Sequence, residues 1–264
     1  MANQSLRSVI VAALCSTLSA LAGAANNDTG QTLCYDAANV AAPCSAAVGG
    51  DAGVNPRQDG RYGRDAAAVA GQLTKIGAGA AGFDYTKIAN NGSVLPATSA
   101  LGNAATDWAC TKDNVTGFIW EVKTANGLRS SAHTYTWYST DAASNGGDVG
   151  SVGIDTCGGS LGAYRNQCNT QNYAVAVNAA GGLCGATDWR LPTQRELLTL
   201  VHAGNASPAI DSTYFPNTVS NFYWSKSTYA VDSIGAWIVV YDVGYTIAGA
   251  KFLNVAARLV RSEP

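Results

Sequence analysis

The chain has 264 residues, a formal net charge of −2 and 13% charged residues, about half the ~25% of an ordinary globular domain. It carries no basic stripe, so nucleic acid is not an expected partner. The length suits one large domain, or a domain with an extension.

Residues 1–24 have the layout of a secretory signal peptide. A lone cation, Arg7, precedes the apolar stretches "VIVAALC" and "LSALAGA", and Ala22-Gly23-Ala24 forms a small-x-small cleavage site. Ser16, Thr17 and Ser19 interrupt the run too early for a membrane span, and no later segment approaches ~20 apolar residues. The expected location is secreted, periplasmic or on the cell surface. Cys15 would leave with the leader. Cys34, Cys44, Cys110, Cys157, Cys168 and Cys184 remain, an even set that reads as disulfides in an oxidising compartment. The count leaves the pairing open. Short closures are favoured, Cys34 with Cys44 and Cys157 with Cys168, which leaves Cys110 with Cys184. No Cys-x-x-Cys pair occurs, so redox and zinc chemistry are not expected.

Residues 25–107 are small, polar and turn-rich, and read as an N-terminal extension. "QLTKI" and "FDYTKI" are strand candidates around "GAGAAG", closed by the turn signal "NNG", so a hairpin is expected there. A denser domain spans 108–264. "GFIWEV" and "HTYTWYS" alternate bulky residues as strands do. A Gly-rich loop over 141–168 is stapled by its own disulfide. "TQNYAVAVNAAGG" reads as a helix capped by Thr170, with Tyr173, Val177 and Ala180 on one face and Gly181-Gly182 as its stop. In "DWRLPTQRELLTLV", Thr193 and Glu196 form a capping box, and Leu197, Leu198, Leu200 and Val201 give an apolar face. That helix is expected to run to Gly204, with His202 a favourable cation in its last turn. "NFYWSKST", "GAWIVVYD", "GYTIAGAK" and "AARLVRS" are short strands. Strands, two helices, then strands make an α+β fold.

Two enzyme-like patterns lack their context. Gly77 to Gly82 spells G-x-G-x-x-G, but a strand and turn follow it instead of a helix. Gly158 to Gly162 spells G-x-S-x-G inside the Gly-rich loop, and the one later His, His202, belongs to the capped helix. His133 and His202 cannot assemble a His-rich metal site. Asp59 and Asp65 could offer oxygens to calcium, but a plain turn explains "QDGRYGRD" better. Neither a metal nor a cofactor is expected.

Several ordered runs resemble the Lcl C-terminal domain family: "DNVTGFIWEVKT", "TYTWY", "LCGATDWRLPTQRELLTLV", "PAIDSTYFPN", "YWSKSTYA" and "AWIVVYDVGYTIAGAKFLNVAARLVRS". The likeness covers 108–262. "RLPT...E" and "ARLVR" are also similar to elements of formylglycine-generating enzymes. That implies a C-type-lectin-like fold, with two helices packed on small twisted antiparallel sheets. The enzymes' oxidase chemistry needs reactive cysteines, and here all six can pair, so the resemblance carries the scaffold rather than the catalysis. Trp189, Arg190, Pro192, Trp224, Trp237, Arg258 and Arg261 are its expected structural positions.

The resemblance implies a non-enzymatic recognition or adhesion domain that binds a glycan or protein surface through its late strands and loops. Adaptable polar groups beside rigid aromatics suit such a surface. Lys226, Tyr229, Asp232, Asp242, Tyr245, Phe252 and Asn254 are the candidate contacts. Domains of this family close bacterial collagen-like adhesins, which sulfated glycans suit; such a ligand needs a cationic patch, and Lys226 and Lys251 are the cations at hand. Retroelement diversification of this stretch is a further hypothesis; a near-copy of the 3′ end beside a reverse transcriptase would be its genomic sign. The alternatives are a formylglycine-generating-type oxidase, or another enzyme on the same fold, and a structural surface or filament subunit. Oligomeric assembly is compatible with each.

Overall fold

The computed structural model describes residues 27–179 and 181–262. The expected leader, 1–24, and Ala180 lie outside the described residues. The chain is α+β, with few helices and three small antiparallel sheets. β1 (Leu33–Tyr35) pairs with β2 (Ala41–Pro43), and α1 spans Gly63–Val69. β3 (Tyr85–Ala89), β4 (Val94–Leu95), β5 (Trp108–Asp113), β6 (Phe118–Glu121) and β10 (Val260–Ser262) form one sheet in the order β10-β6-β5-β3-β4. The third sheet is the meander β7 (Phe222–Thr228), β8 (Gly235–Val240) and β9 (Tyr245–Ala250).

The expected hairpin forms, but with other partners. "FDYTKI" supplies β3, and the "NNG" turn folds it onto β4. "QLTKI" is not a strand; the Ile76 and Gly77 amides instead donate to the Asp84 carboxylate. Two adjacent strands at one edge of the five-stranded sheet, β3 and β4, therefore come from residues before 108.

Alternation of side chains across each strand divides the core. On one face of the large sheet, Ile88, Cys110 and Ile119 pack with Tyr173, Val177 and Trp189. On the other, Tyr85 and Trp120 meet Leu197, Leu200, Val239 and Tyr241. That second cluster joins the five-stranded sheet to the meander. Ala236, Ile238 and Val240 face the opposite way, onto Trp137 and Trp224. β8 is thus covered on both faces.

α2 (Thr170–Ala179) is capped one residue earlier than expected. The Asn169 side chain accepts from the Asn172 amide at 2.9 Å, while the Thr170 hydroxyl donates to the Tyr138 carbonyl. "HTYTWYS" is extended but is no sheet strand. Its amides bond to scattered partners and not to one strand: Tyr135 and Trp137 to Val255 and Lys251, Thr136 to Cys168, Thr134 to Thr156 and Ser139 to Val149, with Tyr135 and Trp137 drawn into different clusters.

α3 (Gln194–Leu198) has the expected capping box. It stops before Gly204, because His202 and Ala203 donate their amides to Ala209 and Thr29 instead of continuing the helix. His202 is buried, and its Nδ1 accepts from the Gly204 amide at 3.1 Å. Burial also lowers its pKa, so it is a neutral core acceptor rather than a cation on the helix dipole.

Three disulfides join Cys34 to Cys44, Cys110 to Cys184 and Cys157 to Cys168. The second ties β5 to the segment after α2. Trp189, Trp224 and Arg258 are buried as structural positions should be. Arg190 pairs with Glu196, and Arg261 pairs with Asp188.

Candidate functional site

The meander decides which candidate residues can act together. In an antiparallel meander successive connections fall at opposite ends. Gly235 lies opposite Ala250, and Val240 opposite Tyr245, five residues along the strand. The two ends are therefore roughly 17 Å apart. Tyr229 and Asp232 lie between β7 and β8, and Phe252 and Asn254 follow β9, so all four occupy one end. Asp242 and Tyr245 occupy the other. Lys226 projects into solvent from the middle of β7, beside a bulge.

The first end is a stiff tip. The Tyr229 amide donates to the Gly235 carbonyl and the Gly235 amide to the Asp232 carbonyl, both at 3.0 Å. The Asp232 carboxylate accepts from the Ile234 amide at 3.1 Å. The Tyr229 ring stands edge-on to Trp237, with centroids 5.2 Å apart. Gly235 leaves room for that ring: an added Cβ would sit 3.1 Å from the Tyr229 Cβ. The Lys251 amide ties the second loop to the first by donating to the Ile234 carbonyl at 2.9 Å.

Lys251 is the pin beneath the tip. Its ammonium donates to the carbonyls of Asn145 and Asp148 at 2.8 and 2.6 Å, and lies 4.3 Å from the centre of the Trp137 ring. Burial pulls its pKa down, while Asp148 and Asp232 oppose that shift. The expected use of Lys251 as a surface cation is therefore not available. Its charge is consumed in holding the 141–150 loop against the meander, and Lys226 stands as the exposed ammonium of the expected pair.

On this frame apolar side chains face water. Val231 is 82% exposed, Phe252 65%, Ile234 50% and Leu253 42%. Val231, Ile234 and Leu253 were not among the candidates. Counting meander ends in the sequence would have found them, because it groups 229–234 with 251–254 and sends Asp242 away. At the far end, Asp242 is engaged in structure: its carboxylate accepts from the Ser207 hydroxyl at 2.7 Å and from that of Ser220 at 3.3 Å.

Two clefts, of about 310 Å³ and 370 Å³, lie elsewhere. The first is lined by Asn90, Asn126, Arg129 and Leu183, the second by Thr86, Val94, Asn114 and Tyr214. None of the seven candidate residues lines either cleft.

The structure also makes pairings that the sequence did not suggest. The Ser160 hydroxyl of the G-x-S-x-G run meets His133, not His202, at 3.4 Å from Nδ1. Burial, and then Lys123, lower the His133 pKa. The amides of Gly159 and Ser160 already donate to Asp155 and to the Cys157 carbonyl, so neither is poised for an oxyanion. The G-x-G-x-x-G run leads into β3 and not into a helix; the first turn of α1 does lie against Gly82, but there the Asp65 carboxylate already accepts the Gly82 amide at 2.6 Å.

Asp28, Asp59 and Asp65 place carboxylate oxygens within 4.8 Å of one another and could hold a hard cation. They already have structural duties. Asp65 accepts the amides of Gly30 and Gly82 at 2.7 and 2.6 Å, and Asp28 accepts the Asp65 amide at 2.8 Å. Burial first, with the neighbouring carboxylates adding to it, raises the pKa of Asp59 and Asp65.

Among the described residues no helix is long and apolar enough to cross a membrane. A family described as the Lcl C-terminal domain matches residues 109–261. No curated protein and no solved structure matches the chain.

Proposed function

The chain belongs to the Lcl C-terminal domain family, and from that premise we propose an exported, non-enzymatic recognition or adhesion protein whose contact surface is the meander tip. The observation that carries this reading is the exposure of Val231, Ile234 and Phe252 on two mutually hydrogen-bonded loops. Apolar side chains held out in water cost solvation free energy, and a stiff frame keeps them from collapsing inward. A rigid anchor loses little conformational entropy when it docks.

The tip projects from the end of a sheet and lines neither cleft, so it suits the face of a larger partner, a protein or a glycan-coated surface, better than an engulfed small molecule. Asp232 sets the polarity of any contact and favours a partner with donors or a cation nearby. Three disulfides suit an oxidising, extracytoplasmic setting. An oxidase of the formylglycine-generating type would need a free thiol, and all six cysteines of the described residues are paired.

The test is a glycan-array and surface-protein screen with the whole chain, since β3 and β4 complete the sheet of the matched region. A hit should weaken at least ~tenfold in Phe252→Ala and in Val231→Asp, with unchanged melting. A hit that is indifferent to both substitutions would sink the tip reading.

A further inference from the structure

The strand edges of this fold are blunted with one exception. β4 has two residues, and β1, β2 and β10 have three each. β10 is also flanked by Arg190, which exchanges two backbone hydrogen bonds with Val260. The outer edge of β7 is bonded to Ala256 and Pro192. β9 is different: it has six residues, "YTIAGA", and no charge, no Pro and no register shift against β8. Natural edge strands usually carry at least one such device against pairing.

The phase of the ladder shows what this edge offers. The Lys251 amide donates to the Ile234 carbonyl, one step beyond the Gly235–Ala250 pair. Antiparallel pairs alternate between bonded and non-bonded, so Tyr245, Ile247 and Gly249 direct their backbone groups to β8. Thr246, Ala248 and Ala250 then turn N–H and C=O outward. Among the described residues, the Ala250 carbonyl accepts from the Leu253 amide, and no other outward group of β9 has a hydrogen bond. None of the six residues is fully buried.

We propose that β9 is the docking edge for β9 of a second copy of this chain, paired antiparallel about a two-fold axis at Ala248. Only an extended backbone can satisfy alternating outward donors and acceptors, and this strand is self-complementary. With Ala248 on the axis, Thr246 faces Ala250 of the second copy, and Ile247 faces its Gly249. Large residues then oppose small ones, and no like charges meet. Exposed Val243 and Tyr245, at the start of one strand, come beside exposed Leu253, at the end of the other. The two meanders become one six-stranded sheet with an isologous interface. The 229–234 loop, on the β7 side of β8, lies away from this edge; Leu253 belongs to both surfaces, and Ala248, which is no part of the tip, separates the two readings.

Sedimentation of the purified whole chain, from low micromolar to several hundred micromolar, tests it. The expected result is a monomer–dimer equilibrium whose dissociation constant rises at least ~tenfold in Ala248→Lys, which sets two ammonium groups across the axis. Ala248→Pro removes an outward amide without touching the β8 ladder and should act alike. Ala248→Cys should yield a covalent dimer on mild oxidation, because bonded antiparallel partners lie ~5.5 Å apart at Cα. Thr246→Cys should not, since it meets Ala250 of the second copy. A chain that is monomeric throughout would overturn the proposal. So would a dimer indifferent to Ala248→Lys, or one cross-linked equally well through position 246.

Discussion

The carboxylate of Glu121 and the ammonium of Lys123 lie 3.1 Å apart, with both side chains sealed from solvent. They sit two residues apart on the chain and so project on the same side of the sheet. The Tyr173 hydroxyl donates to Glu121, and the Leu259 amide donates to it at 2.8 Å. Buried charges are tolerated when every partner is present, and removing one partner strands the other.

Glu121→Gln should therefore destabilise the protein by about 3–5 kcal/mol, because Lys123 is left charged and unpaired. Adding Lys123→Met should recover part of that loss. Urea unfolding of the two variants decides it; equal stability would contradict the pairing. Burial alone would raise the Glu121 carboxyl, but Lys123, Tyr173 and the Leu259 amide hold it below its ordinary value. Its contribution is therefore present above the unfolded carboxyl pKa and is lost as pH falls through the lower folded value.

His202 provides a second pH dependence with a defined sign. Its pKa is depressed by burial, so the unfolded chain binds the proton more readily. Stability should be full above the unfolded value of ~6.5 and decline as pH falls from there toward the folded value. His133 is depressed as well and adds a slope of the same sign. His202→Gln, which keeps an acceptor for Gly204, should flatten the fall in melting temperature between about pH 7 and pH 5. An unchanged slope would assign the effect elsewhere.

The disulfides should rank by the chain they close. Cys110 and Cys184 are 74 residues apart, against 10 for Cys34 and Cys44. Loop-closure entropy gives about 4 kcal/mol for the long closure and about 3 kcal/mol for the short one. Alanine replacement of each pair, followed by chemical denaturation, should reproduce that order. The reverse order would mean that the unfolded chain keeps structure of its own.

Glu196 does two jobs at once. It accepts the Thr193 amide at 2.7 Å and hydrogen bonds from the two terminal guanidinium nitrogens of Arg190 at 2.7 and 2.8 Å. Glu196→Gln should cost about 1–2 kcal/mol, more than a cap alone, because the charge-assisted fork is lost. Arg190→Lys should not preserve the interaction, since an ammonium cannot bridge both oxygens. Melting curves that leave Arg190→Lys at the parent value would refute the fork.

Much of this was open to reading in the sequence. The capping box at Thr193 and Glu196 joins residues three apart, the Gly-rich loop is closed by a disulfide across 11 residues, and β7, β8 and β9 each pair with the next strand along the chain. The α+β class follows from the order of those elements. The α2 cap was missed by one residue, because Asn169 and Thr170 are both competent caps and a contact with Tyr138 decided between them. The end of α3 was missed for a like reason: apolar periodicity continues past Leu198, but Ala209 and Thr29 compete for the next amides.

By itself, the sequence determined which residues alternate, which cap and which turn, since near neighbours along the chain settle those choices. Only the tertiary structure decided that Lys251 is a buried pin, that Asp242 lies a sheet's length from Asp232, and that Ser160 meets His133. Those outcomes depend on which distant segments share a sheet end or a core cluster. No local propensity encodes that, because it emerges when whole faces exclude water together.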